Sequence, residues 1–148
     1  MSSPAARPTD VYFFATCVVD QFFPGAGMDA ITLLERQGIR VHFPEEQTCC
    51  GQPAYTSGFP DEARKVAAHQ LTLFPNDWPV VVPSGSCAGM IRWHWEKVIG
   101  NDPALKARAA AIAARTNGRR PAAGACPKLG SCAAPHVPGP QARQRRRP

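Results

Sequence analysis

Two hydrophobic periods alternate along the first 116 residues. Val11–Thr16 is a short apolar run rich in aromatics between Asp10 and Cys17, which predicts a buried strand. Pro24-Gly25 opens a helical pattern in which Met28, Ile31 and Leu34, with Ala30 and Leu33 beside them, form a wide apolar face; Gly38 is the expected stop. Ile39–Phe43 predicts a second strand, ended by Pro44, and a loop is expected from Glu45 to Gly58. Pro60 then starts a helix with Asp61 and Glu62 in its first turn, carried on by Ala63, Val66, Ala67, Gln70, Leu71 and Phe74. Val80–Val82 lies between Pro79 and Pro83 and has the unbroken β-branched character of a strand covered on both faces. Ser84–Gly89 predicts a tight loop into a helix through Trp93 and Trp95, and Asp102-Pro103 caps a last helix over Pro103–Thr116.

The expected order is therefore β-α-β-α-β-α-α. Helices between strands imply parallel strands with right-handed crossovers. The predicted fold is α/β, a small three-layer sandwich with a short parallel sheet, spanning residues 10–116 as one domain. The first ten residues are expected to fray.

Composition changes the picture at the carboxyl end. The chain carries a formal charge of +6, yet no acidic residue follows Asp102. Seven of the seventeen Lys and Arg residues fall within 117–148, which leaves residues 1–116 with ten basic and eleven acidic side chains. The body is nearly neutral, so overall basicity does not argue for nucleic acid as a partner. Residues 117–148 contain six prolines, no acid and no periodicity, and are expected to be disordered. Such a composition also arises when a GC-rich gene is read out of frame, so a frameshift or truncation near Asn117 is expected; the plainer alternative is a basic interaction tail. No apolar run approaches the roughly 20 residues of a membrane span. Phe14-Ala15-Thr16-Cys17 has a faint look of a lipoprotein cleavage site, but Asp10 and Asp20 bracket the run, so no signal peptide is expected and a cytoplasmic location is.

Six cysteines without an export signal favour thiols or metal ligands over a disulfide scaffold. Cys17 follows strand one, Cys49 and Cys50 follow strand two, and Cys87 follows strand three. In a parallel sheet these three loops open on one edge, at the carboxyl ends of the strands. Four thiols distant in sequence are thus expected to converge, while Cys126 and Cys132 fall in the tail. Converging thiolates suit iron–sulfur or zinc chemistry. Adjacent cysteines are unlike the spaced knuckles of structural zinc sites and reach different irons of a larger cluster more easily. Gly51, Gly85 and Gly89 would let backbone N–H groups approach the sulfurs, and helix N-termini after each loop would favour their negative charge. Taken singly, Cys17 reads as a buried small hydrophobe and Cys49-Cys50 as a vicinal redox pair. His42, His69 and His94 need no role beyond packing or surface, and Trp93 and Trp95 read as core or interface aromatics.

Cys17, 31 intervening residues, Cys49-Cys50-Gly51, 35 intervening residues and Cys87 resemble the cysteine-rich CCG domain family. That family includes a component of heterodisulfide reductases, the iron–sulfur component of glycolate oxidases and the lactate utilization proteins A. Phe43–Gly58 (FPEEQTCCGQPAYTSG) and Val81–Met90 (VVPSGSCAGM) are most similar to the first repeat of the last group. The resemblance implies metal ligation by Cys17, Cys49, Cys50 and Cys87, with Gly51, Pro53, Ser84, Gly85 and Ser86 around the cofactor. The family motif ends C-x-x-C where this chain reads Cys87-Ala88-Gly89-Met90, which leaves four thiols, the number a [4Fe–4S] cluster needs. It further implies an electron-transfer subunit in oxidation of L-lactate to pyruvate, working with other lactate utilization subunits and without a catalytic site of its own. Zinc binding, a thiol redox module or an inactive truncated product are the alternatives. Relatives carry two repeats, so a single repeat is expected to expose apolar surface, with Trp93 and Trp95 as candidates.

Overall fold

The structure is a computed structural model and describes residues 7–116. The expectations of a disordered, truncated or frameshifted tail and the cysteines Cys126 and Cys132 lie outside the described residues, as do the first six positions. Three parallel strands form one sheet: β1 (Asp10–Phe13), β2 (Arg40–His42) and β3 (Val80–Val81), in the order β2-β1-β3. Asp10, Val11 and Tyr12 pair with Arg40, Val41 and His42, and Tyr12 and Phe13 pair with Val80 and Val81. The α/β architecture and parallel sheet are those expected from the sequence.

The helices are more numerous than expected. Two precede β2: α1 (Cys17–Phe22) and α2 (Pro24–Arg36). Thr16 caps α1, its Oγ1 accepting the Val19 N–H. This short turn falls where the apolar stretch continued, because Val18 and Val19 read equally well as strand or helix. The loop after β2 contains a further turn, α3 (Gln52–Thr56), before α4 (Pro60–Thr72). The loop expected at Ser84–Gly89 is itself helical: α5 (Gly85–Gly89) runs through a π-helical turn, Met90–His94, into α6 (Trp95–Ile99). Asp102 caps α7 (Pro103–Arg115), accepting the Ala104 and Leu105 N–H groups. Beyond α7, Thr116 makes a lone parallel bridge to Val80 at the outer edge of β3.

The largest core cluster lies on one side of the sheet, while Val11 and Phe13 are buried on the other. Tyr12, Phe14, Val80 and Val82 meet Leu71, Phe74, Met90, Ile91, Trp95 and Ile112 from the helices that follow β2 and β3. The π-helical turn matters for this packing. In a regular helix Trp95 would stand about 140° around the axis from Met90, since each residue advances about 100°. The wider turn brings residues five apart over one another, and Met90, Ile91 and Trp95 are all buried. Trp95 is thus core and does not belong to an exposed patch, whereas Trp93 is half exposed. The larger exposed apolar side chains lie mostly elsewhere, at Val18, Phe22, Phe23, Met28, Leu33 and Phe43 around α1, α2 and the end of β2.

Candidate metal and thiol centre

Each thiol sits just past the carboxyl end of a strand, and the structure brings all four together on that edge. Cys17 is the first residue of α1, and its Sγ lies 3.9 Å from that of Cys49. Cys50 and Cys87 form the second pair, the Cys50 thiol donating a hydrogen bond to the Cys87 sulfur. The two pairs sense each other: Cys49 acts electrostatically on Cys50, and Cys87 on Cys17. Cys17 and Cys49 are half-buried, whereas Cys50 and Cys87 are buried. Among the described residues, no three His, Cys, Asp or Glu side chains close around a single ion. The sulfurs stand as two neighbouring pairs.

The double-cysteine loop is held on three sides. Gln47 reaches back to the end of β1, donating through Nε2 to the Phe13 carbonyl at 3.0 Å and accepting the Ala15 N–H on Oε1 at 3.1 Å. It acts as a strand residue would, and it sets Cys49 beside Cys17. Gln70, fully buried on α4, donates to Thr48 Oγ1 at 2.7 Å, and His69 Nε2 lies 3.1 Å from the Glu46 carbonyl. From the far side the buried Trp95 indole donates to the Cys50 carbonyl at 2.9 Å. Gly51 adopts φ +85°, and a Cβ there would stand 3.3 Å from the Ala63 carbonyl oxygen. The glycine is required by the left-handed turn and by the close approach of α4.

Backbone N–H groups do point at sulfur. Val18 donates to Cys17, Gly51 to Cys49 at 3.5 Å, and Gln52 to Cys50. The helices that follow, α1, α3 and α5, have only six, five and five residues, so these local donors matter more than any helix dipole. Ser84 and Ser86 both hydrogen-bond to Cys87, and their hydroxyls lie 3.2 Å apart. The Cys50 thiol and these two hydroxyls pull the Cys87 thiol down from its ordinary 9.0 to about 6. Cys50, the donor of that pair and buried besides, is pushed far up. Burial and the neighbouring Cys49 push Cys17 up.

Of the remaining expected cofactor contacts, Pro53 is exposed on α3 with its carbonyl accepting the Ser57 N–H, and Gly85 is exposed with open space around it. Sequence reasoning did not find Gln47, Gln70 or the Trp95 anchor. The Gln47 and Gln70 amides carry no local signal, because their partners lie 22 to 34 positions away. Beside the half-buried Cys17–Cys49 pair opens a cleft of about 370 Å³, lined by Cys17, Cys49, Asp20, Gln21, Glu45 and Gln47 among others.

Four thiols at the carboxyl edge of a parallel sheet, three of them receiving backbone N–H groups, form a candidate site for soft-ligand or thiol chemistry. The chain belongs to the CCG cysteine-rich domain family, whose sequence pattern it matches over residues 11–92. It is 43% identical over 107 residues to "Lactate utilization protein A" of Shouchella clausii, a match covering 72% of this chain and 44% of that relative. The protein of the same name from Halalkalibacterium halodurans is 44% identical over 106 residues, covering 72% and 43%. "Lactate utilization protein A 2" of Bacillus cereus strain AH820 is 38% identical over 106 residues, covering 72% and 44%. The chain thus spans less than half the length of the curated relatives it matches. No solved structure matches it.

Proposed function

We propose that this chain is an iron–sulfur electron-transfer module acting in L-lactate oxidation, with Cys17, Cys49, Cys50 and Cys87 as the cluster ligands. The observation that carries the reading is the meeting of four thiols as two adjacent pairs on one sheet edge. Two neighbouring pairs suit a polynuclear cluster, whose irons stand apart, better than one small tetrahedral ion. The thiolates would be supported by the Val18, Gly51 and Gln52 N–H groups and by the Ser84 and Ser86 hydroxyls, which bond to the ligand sulfurs and offset their charge. When bound, a cluster supplies one-electron transfer. The protein residues exclude water from Cys50 and Cys87 and leave the Cys17–Cys49 side open to a cleft, the natural side for electron exchange.

The names of the relatives support the pathway, and other lactate utilization subunits would supply the substrate site and the electron acceptor. The domain is taken as residues 10–116, and the cytoplasm as its compartment. Among the described residues no helix is long and apolar enough to cross a membrane.

One observation favours a second reading. A tetrahedral zinc ion with Zn–S bonds of about 2.3 Å holds its sulfurs about 3.8 Å apart, close to the Cys17–Cys49 spacing. Anaerobic reconstitution with iron and sulfide separates the two. A brown, broadly absorbing protein that loses iron in Cys50→Ser and keeps it in Cys132→Ser supports the cluster. A colourless protein that takes one equivalent of zinc in place of iron overturns it.

A further inference from the structure

The two thiol pairs differ in access, and that difference gives one of them a chemistry of its own. The Cys17 and Cys49 sulfurs lie 3.9 Å apart, both half-buried, on the wall of the cleft of about 370 Å³. A disulfide bond is about 2.05 Å long, so the sulfurs need to close by about 1.9 Å to bond. Cys50 and Cys87 are buried, and the Cys50 carbonyl is tied to the buried Trp95 indole. Cys49 and Cys50 are sequence neighbours, yet the structure gives Cys49 to Cys17 and Cys50 to Cys87.

We propose that, in the metal-free protein, Cys17 and Cys49 form a reversible dithiol–disulfide couple that reacts with small uncharged or cationic disulfides entering this cleft. The cleft carries Asp20 and Glu45 and no basic side chain among its lining residues, so it disfavours anionic disulfides. In the first step one thiol of the pair loses its proton, and the thiolate attacks a sulfur of the incoming disulfide. A mixed disulfide forms, and one small thiolate leaves. The second protein thiol, deprotonated in turn, attacks the protein sulfur of that mixed disulfide and expels the second small thiolate. Two electrons pass from the protein pair to the small disulfide, and the two protons end on the released thiols. The consequence is a redox lock: the oxidised pair takes two of the four thiols out of reach of iron or zinc, and reduction restores them. The couple involves only the free thiols and is the same whichever metal group the reduced site takes.

The test uses the full metal-free chain carrying Cys126→Ser and Cys132→Ser, kept anaerobic and treated with cystamine, hydroxyethyl disulfide or glutathione disulfide. After alkylation and trypsin digestion, mass spectrometry should find the Cys17 peptide joined to the peptide that holds Cys49 and Cys50. The linked mass should be short by two hydrogens and be restored by dithiothreitol. The link should survive Cys50→Ser and vanish in Cys49→Ser. In Cys17→Ser the reaction should stop at a mixed disulfide on Cys49. Cystamine should react at least about tenfold faster than glutathione disulfide, a margin narrowed by Asp20→Asn with Glu45→Gln. Tryptophan fluorescence, to which the buried Trp95 contributes beside Trp78 and Trp93, reports that each variant is folded. A link between Cys50 and Cys87, a link within Cys49-Cys50, or no link in a folded protein overturns the proposal.

Discussion

The two faces of the sheet are built to different depths. Behind Tyr12, Phe14, Val80 and Val82 stands a continuous core that draws on α4, α6, α7 and the π-helical turn. In front, α1 buries none of its residues and α2 buries only Gly27, against the Val19 side chain. Phe22 and Leu33 are 71% and 64% exposed on that side. The thiols divide the same way. Cys50 and Cys87 belong to the packed side, and Cys17 is carried by the thin one. The packed side fixes geometry, while the thin side leaves one pair reachable. Gln47 joins the two, being the side chain that ties the double-cysteine loop to the end of β1.

Four changes sharpen this contrast. The largest effect is expected from Trp95→Ala, which empties the centre of the core and frees the Cys50 carbonyl. Urea unfolding should show a loss of about 3–5 kcal/mol, and alkylation of Cys50 and Cys87 in the native state should become fast. Unchanged protection of these thiols would mean that the packed side does not hold them.

Gln47→Ala comes next. It strips the Phe13 carbonyl and Ala15 N–H of their side-chain partner, a cost of about 1–3 kcal/mol for part-buried groups. Its diagnostic is chemical: Cys17–Cys49 cross-linking by cystamine should slow by more than stability alone explains, while Cys50 and Cys87 stay protected. Equal slowing in a control variant of matched stability would remove Gln47 from its positioning role.

Asp10→Asn should have a smaller, pH-dependent effect. His42 bonds to this carboxylate at 2.8 Å, Thr9 donates to it, and Arg40 lies near, so its pKa is held below the ordinary 3.8. A lowered folded-state pKa contributes stability above the unfolded value, which is lost as pH falls through the folded one. The gap between the parent and the Asn variant should therefore be open above pH 3.8 and close below it, as read by acid unfolding followed through circular dichroism.

The smallest effects belong to the thin face. Leu33→Ser or Met28→Ser should change stability by no more than about 0.5 kcal/mol, since these side chains stay exposed and folding withdraws little of their area from water. A large loss on thermal unfolding would show that α2 is covered in solution.

Much of this was written in the order of residues. The three strands, the parallel topology and the four converging thiols follow from short apolar runs separated by helical stretches, because helix crossovers make strands parallel and parallel strands send their following loops to one edge. Pro60 and Asp102-Pro103 marked their helix starts correctly, since proline at the first turn and a capping aspartate act locally. Element ends were less legible: β1 stops at Phe13 and α1 begins at Cys17 within a stretch whose apolar residues suit either state.

What the tertiary structure alone decided is how the thiols pair. Sequence set Cys49 against Cys50 as neighbours, and successive side chains of an extended or turning backbone diverge. The left-handed turn at Gly51, the Gln47 clamp and the Trp95 anchor send one sulfur toward α1 and the other toward α5. The π-helical turn that buries Trp95 was equally hidden, because a one-residue change in helical register depends on which packing wins and leaves no mark in the periodicity. Residue order determined which thiols meet; long-range hydrogen bonds and packing determined which meets which, and which of them solvent can reach.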